Sequence, residues 1–278
     1  MSRWGTLGSG NGDFYRPVGI AINSANGLYV ADSWNHRIQT FDTVGTYISQ
    51  WGTLGSDSGQ FTYPVAIAVG SGNSLYVADT SNNRIQKFLS DGTFVGTWGT
   101  FGTGNGQFHI PFGVAVDGSD NVYVVDNQNN RIQKFTSAGT YVSQWGTVGT
   151  GEGQFSYPYG IAIDGGGNVY VADVYNNRIQ KFTSTGTYIS QWGTVGRGDG
   201  QFNNPYGIAV DGGGNVFVTD AGNNRVQMFT NTGAYITQWG SQGIENGEFH
   251  YPFGIVVDSG GSVYVTDSFN HRIQKFHA

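Results

Sequence analysis

Residues 155–192 read FSYPYGIAIDGGGNVYVADVYNNRIQKFTSTGTYISQW, and the same pattern returns through the chain every 47 residues. Its arginine stands at Arg37, Arg84, Arg131, Arg178, Arg225 and Arg272, and all six prolines keep the same step, at Pro17, Pro64, Pro111, Pro158, Pro205 and Pro252. Six copies therefore lie in one register without an insertion or deletion. A period of about 40 to 50 residues made of several short strands is the signature of a propeller blade. Such a unit cannot bury both faces alone, so residues 1–278 are expected to form one domain in which each repeat covers its neighbour.

Within the unit, Tyr159–Asp164 alternates small and branched residues, which suits an innermost strand where tapering blades crowd the axis. Gly165-Gly166-Gly167-Asn168 then turns the chain. Val169–Asp173 is a β-branched and aromatic second strand, Asn176-Asn177 a polar turn, Arg178–Phe182 the third strand, Thr185-Gly186 a tight turn and Tyr188–Trp192 the fourth strand. The expected fold is all-β, a six-bladed β-propeller of four-stranded antiparallel blades. If the period is continued past Ala278, the equivalents of Val44-Gly45-Thr46-Tyr47 are missing and the chain resumes at Met1, with Trp4 in register with Trp51 and Trp239. Residues 1–5 are thus expected to complete the blade of the C-terminal repeat, closing the ring and removing an open sheet edge.

Composition agrees. The 46 glycines, the shortage of Leu, Lys and Glu, and the abundance of Val, Ile, Tyr, Phe and Thr argue against helices. A formal charge of −6 opposes attraction to a phosphate backbone. Ten of the 13 cations occupy repeated positions (the six arginines with Lys87, Lys134, Lys181 and Lys275), which leaves Arg3, Arg16 and Arg197. No basic patch and no nucleic-acid partner are expected. The absence of cysteine removes disulfides and thiolate sites and leaves the compartment open. No apolar run nears the roughly 20 residues of a membrane span, and MSRWGT lacks a signal peptide's apolar core. Met1 precedes a repeat element in mid-strand, which fits a domain cut from a longer protein. In that case an extracellular or cell-surface setting is expected. A monomer with no cofactor is expected.

The string PxGIAVDxxGNVYVADxxNNRIQKF, followed by YxxQWG, resembles the NHL-repeat family over the whole chain. The resemblance implies a six-bladed β-propeller but no particular activity, because one propeller scaffold hosts many functions. Amidating lyases of similar fold carry a His-liganded zinc, with histidine directly after the strand-opening proline. Here those positions hold Val18, Val65, Phe112, Tyr159, Tyr206 and Phe253, so that ligand set is missing. The SxxK, GxSxG and HExxH patterns are absent too. The expected function is non-enzymatic recognition or scaffolding, with a protein, peptide or carbohydrate partner. The alternative is a lyase- or lactonase-type propeller enzyme with a metal in the axial channel, although no carboxylate triad stands out from the repeats. An RNA-binding NHL domain stands behind both, since it would present a cationic face.

Each repeat sets an acid five residues before its arginine: Asp32 and Arg37, Asp79 and Arg84, Asp126 and Arg131, Asp173 and Arg178, Asp220 and Arg225, Asp267 and Arg272. Sixfold repetition assigns these pairs to holding the loop between second and third strands, because functional sites usually break symmetry. Six of the seven tryptophans keep the 47-residue step and read as packing between outer strands, while Trp34 is off the pattern. His36 and His271 replace the second Asn of the Asn-Asn turn in repeats one and six, which ring closure makes neighbours. A shared metal is one reading, but two imidazoles without a third ligand point instead to common ancestry of the DSWNHR and DSFNHR loops, and no metal is assigned. The loops Gly8–Asp13 and Gly196–Gly200 carry too few carboxylates for a Ca²⁺ shell and are read as flexible turns.

Strand alternation puts the Gly-rich loop before each proline and the Asp-x-x-Asn-Asn loop on one face, and both termini on the other. On the first face the repeat gives way. Trp34 and Phe269 sit in equivalent loops of adjacent blades, flanked by His36 and His271 and near Tyr15, His250 and Tyr251, while Tyr157 and Tyr175 mark the fourth repeat. Rigid rings beside amide, imidazole and hydroxyl groups suit stacking on a sugar or clamping a peptide. Elsewhere Thr136–Phe182 and Thr183–Phe229 agree at 34 of 47 positions, a near-symmetry better matched to recognition than to one tuned active site.

Overall fold

In the computed structural model, which describes residues 1–277, every repeat folds as four antiparallel strands in chain order. Blade one runs from the axis outward as Pro17–Ile22, Leu28–Asp32, Arg37–Phe41 and Tyr47–Trp51. Blades two to five repeat this order. The sixth sheet holds Pro252–Val257, Ser262–Asp267 and Arg272–His277, and takes its outer strand, Ser2–Trp4, from the other end of the chain. Ser2 stands opposite Lys275, Arg3 opposite Gln274 and Trp4 opposite Ile273. Helix is confined to single 3-10 turns such as Ser33–Asn35 and Ser268–Asn270, and no helix among the described residues is long and apolar enough to cross a membrane.

The core lies between blades. Leu28–Asp32 and Arg37–Phe41 are buried at every position, because both faces of a blade pack on neighbours and apolar side chains occupy both parities. The outer strand carries the link to the next blade: Trp51 lies 6.3 Å from Tyr29 of its own sheet and 5.9 Å from Phe88 of the next. Trp4 does the same for the last blade, against Tyr264 and, across the seam, Phe41. The glycine of the turn above is required there. A Cβ on Gly92, whose φ is +87°, would come within 2.8 Å of the Trp51 indole. At the axis a Cβ on Gly207 would meet the Phe253 carbonyl oxygen at 2.0 Å, so small residues open the inner strands.

The repeated ion pair forms the upper staple of each blade. The Asp173 carboxylate is fully buried. One oxygen accepts from Arg178 Nε at 2.8 Å, Asn176 Nδ2 at 2.9 Å and Gln180 Nε2 at 3.1 Å, and the other from the Ser156 N–H at 2.7 Å. The remaining Arg178 donors reach the carbonyls of Thr150, Gly151 and Gln154 and the side-chain oxygen of Gln191 on the outer strand. All six pairs close at 2.6 to 2.8 Å. The Gly-rich loops are therefore not free turns. Arg37 holds the carbonyls of Ser9, Gly10 and Asp13, Arg225 those of Arg197, Gly198 and Gln201, and parallel bridges join Leu7 to Phe14 and Val195 to Phe202. The anchoring guanidinium lies 24 to 28 residues downstream, too far for local composition to reveal.

Candidate ligand-binding face

The residue before each proline sets the upper face. Arg16, Tyr63, Ile110, Tyr157, Asn204 and Tyr251 all have φ between +51° and +59°, a left-handed conformation that costs a non-glycine residue about 1–2 kcal/mol and that a β-branched residue such as Ile110 adopts least readily. The surroundings impose it. Each of these N–H groups donates to a side chain of the preceding blade: Ile110, Tyr157, Asn204 and Tyr251 to the Oδ1 of Asn83, Asn130, Asn177 and Asn224, and Tyr63 and Arg16 to the Nδ1 of His36 and His271. The two loop sets are also tied together, with Trp34 N–H donating to the Tyr15 carbonyl and Phe269 N–H to that of His250.

On this frame the off-pattern side chains of blades six and one meet. Tyr15 and Trp34 lie 5.2 Å apart between ring centroids, Trp34 and Tyr63 5.9 Å, Tyr15 and His271 5.7 Å. Across the seam Phe269 contacts His250 at 5.1 Å and Tyr251 at 5.3 Å. Between the halves sits Arg16, its guanidinium carbon 4.3 Å from the Phe269 centroid and 5.0 Å from that of Trp34. Tyr157 and Tyr175 pair with each other at 4.7 Å on blade four, so the nine candidates form two patches rather than one. Arg16 and Tyr63 were not among them. Their signal was present, because each occupies the variable position before its proline.

The residues that follow the prolines plug the axis. Phe112 stacks on Tyr159 at 4.3 Å, Tyr159 meets Tyr206 at 4.8 Å, and Tyr206 meets Phe253 at 4.6 Å, with Val18 and Val65 on the smaller side. Burial raises the Tyr159 hydroxyl well above the usual phenol range, with Tyr63 and Tyr206 adding to it, and pushes Tyr206 up to about 12. Below the plug lies a channel of about 260 Å³ lined by glycine, alanine, valine and isoleucine of the inner strands. Its wall offers no carboxylate or imidazole, so the donor set does not fit an axial metal. Among the described residues no three His, Asp or Glu side chains converge.

His36 and His271 act structurally through Nδ1, and a backbone N–H can donate there only while that nitrogen keeps its lone pair. Burial lowers both imidazoles. For His36, Asp79 and Asp32 oppose the shift, and for His271, Arg16 adds to it while Asp32 and Asp267 oppose it. A folded pKa below the unfolded value of about 6.5 means that this stability is complete above pH 6.5 and is lost as pH falls through the folded values. Asparagine makes the same bond in the other four blades, so the double variant His36→Asn/His271→Asn is expected to show a flatter fall in melting temperature between pH 7.5 and 5 than the parent. Equal slopes would refute the assignment.

The family model described as NHL repeat matches residues 14–41, 61–88, 108–135, 155–182, 202–229 and 249–276, one segment per blade. Over 45 residues the chain is 44% identical to Protein brain tumor of Drosophila melanogaster, a match spanning 16% of this chain and 4% of that protein's length. Among solved structures, a Bacteroides thetaiotaomicron protein of unknown function superposes with a TM-score of 0.77 at 17% identity, over 99% of this chain and 76% of that one. A streptogramin B lyase superposes at 0.69 and 17% identity, over 99% and 96%. At such identities the likeness is one of fold.

Proposed function

The chain belongs to the NHL-repeat family, and from that premise we propose that it is a non-enzymatic recognition or scaffold ring that binds a protein, peptide or carbohydrate partner on the upper face, at the junction of blades six and one. The observation that carries this reading is the local loss of symmetry. The loop positions vary in every blade, but this junction gathers the most off-pattern side chains: Tyr15, Trp34, Phe269, Tyr251 and His250, with Tyr63 of blade two against Trp34 and with Arg16 against Trp34 and Phe269. Trp34 is 42% exposed and lies outside the 47-residue tryptophan series that packs the blades. Loops held by buried hydrogen bonds present these rings already ordered, which lowers the entropy cost of binding. The competing reading, a lyase- or lactonase-type enzyme with an axial metal, finds only glycine, aliphatic and aromatic side chains along the channel.

A glycan and peptide array tests the proposal. The parent is expected to bind, and Trp34→Ala/Phe269→Ala to lose about 1–3 kcal/mol of affinity, the range of a central aromatic contact. Its circular dichroism and melting temperature should stay near the parent's, because both side chains lie outside the repeated core. Unchanged binding by the double variant moves the site elsewhere, and an array blank for the parent supports a purely structural ring.

A further inference from the structure

Arg16 stands where the other blades carry Tyr63, Ile110, Tyr157, Asn204 and Tyr251. Its guanidinium carbon lies 4.3 Å from the Phe269 ring centroid and 5.0 Å from that of Trp34, and its hydrogen bond to the described residues is made by the backbone N–H, to His271 Nδ1. The carboxylates that reach this junction, Asp32 and Asp267, are fully buried and held by Arg37 and Arg272. A guanidinium held between two rings with no hydrogen bond from its own N–H groups to the described residues keeps a planar fork of donors, matched to a carboxylate. Beside it the rings of Trp34 and Tyr15, 42% and 38% exposed and tilted 37° to each other, offer exposed aromatic surface against which a sugar's C–H face can pack.

Two features narrow the ligand further. The Gly-rich loops, held to this side by the repeat arginines, carry Asp13, Asp57, Glu152, Asp199, Glu245 and Glu248 against the single cation Arg197, so a polyanion is repelled more strongly than a single carboxylate. The two loop sets also bond to each other, through Trp34 N–H to Tyr15 and Phe269 N–H to His250. An extended peptide therefore finds no strand edge there to pair with. From this we infer that the junction of blades six and one binds an acidic sugar at the end of a glycan, its carboxylate on the Arg16 fork and its ring over Trp34 and Tyr15. The inference rests on the recognition reading above and names its ligand class.

Methyl glucuronide, methyl sialoside and the neutral methyl glucoside, titrated against the full chain by ligand-observed NMR, test it. At least one acidic probe is expected to bind about tenfold or more tighter than the glucoside, as a hydrogen bond to a charged group supplies. Arg16→Gln should remove that preference with the circular dichroism unchanged, and Arg16→Lys, which keeps the charge without the fork, should retain part of it. The inference is overturned if neither acidic probe outbinds the glucoside, if Arg16→Gln keeps the preference, or if an acidic tripeptide binds more tightly than both acidic sugars. If a neutral sugar binds and Trp34→Ala abolishes this while Arg16→Gln does not, the recognition reading stands and only the carboxylate falls.

Discussion

Asp173→Ala is expected to lower the stability of the ring by about 3–5 kcal/mol, the usual cost of removing one partner from a buried ion pair. The carboxylate is fully buried and accepts from Arg178, Asn176, Gln180 and the Ser156 N–H. Its loss leaves four donors without their acceptor, one of them on a cation whose side chain is 7% exposed. The Gly-rich loop also loosens, since the Arg178 fork that grips Thr150, Gly151 and Gln154 is aimed by Asp173. Asp173→Asn should cost less, because its remaining oxygen still accepts from one side. Urea unfolding followed by tryptophan fluorescence reads both. A loss under about 1 kcal/mol for the alanine variant would mean that the network contributes little and that apolar packing alone orders the loops.

The architecture was legible because every level of the sequence agreed. The 47-residue step of Arg37 through Arg272, the strand-forming runs and the register of Trp4 with Trp51 all required one closed ring, and consistency of that kind marks a strongly specified fold. The order in the Gly-rich loops was hidden. Glycine-rich composition announces permissive backbone, but what fixes Gly8–Asp13 is Arg37, a side chain from another strand of the same blade. The candidate face was legible in part. Register alone brought Trp34, Phe269 and His271 to one seam, whereas His36 faces Tyr63 at the next junction, and register does not say where a side chain ends. That Arg16 lies between Trp34 and Phe269 follows from the left-handed backbone before Pro17, which local composition does not predict. The Nδ1 bonds of His36 and His271 were likewise concealed, although asparagine at the matching positions of the other blades, a side chain with an acceptor oxygen at similar reach, was the available clue.

Closure of the ring by residues 2–4 is the claim on which the rest depends, because the same seam brings Phe269 beside Arg16 and Trp34. It is held by the ladder of Ser2–Trp4 on Arg272–His277, by Trp4 against Phe41 and Tyr264, and by three cross-seam hydrogen bonds, Lys275 Nζ to the Thr43 carbonyl, Thr266 Oγ1 to the Val18 carbonyl and Arg16 N–H to His271 Nδ1. Deleting Met1–Gly5 removes the first two. A few ladder bonds at about 1 kcal/mol each, and a part-covered tryptophan worth less than the roughly 3–5 kcal/mol of a fully buried one, sum to about 3–6 kcal/mol. At roughly 2–4 °C per kcal/mol for a chain of this size, thermal unfolding of the deletion variant followed by circular dichroism should show a melting temperature about 6 °C or more below the parent's. A melting temperature equal to the parent's would contradict the closure and, with it, the seam that assembles the site.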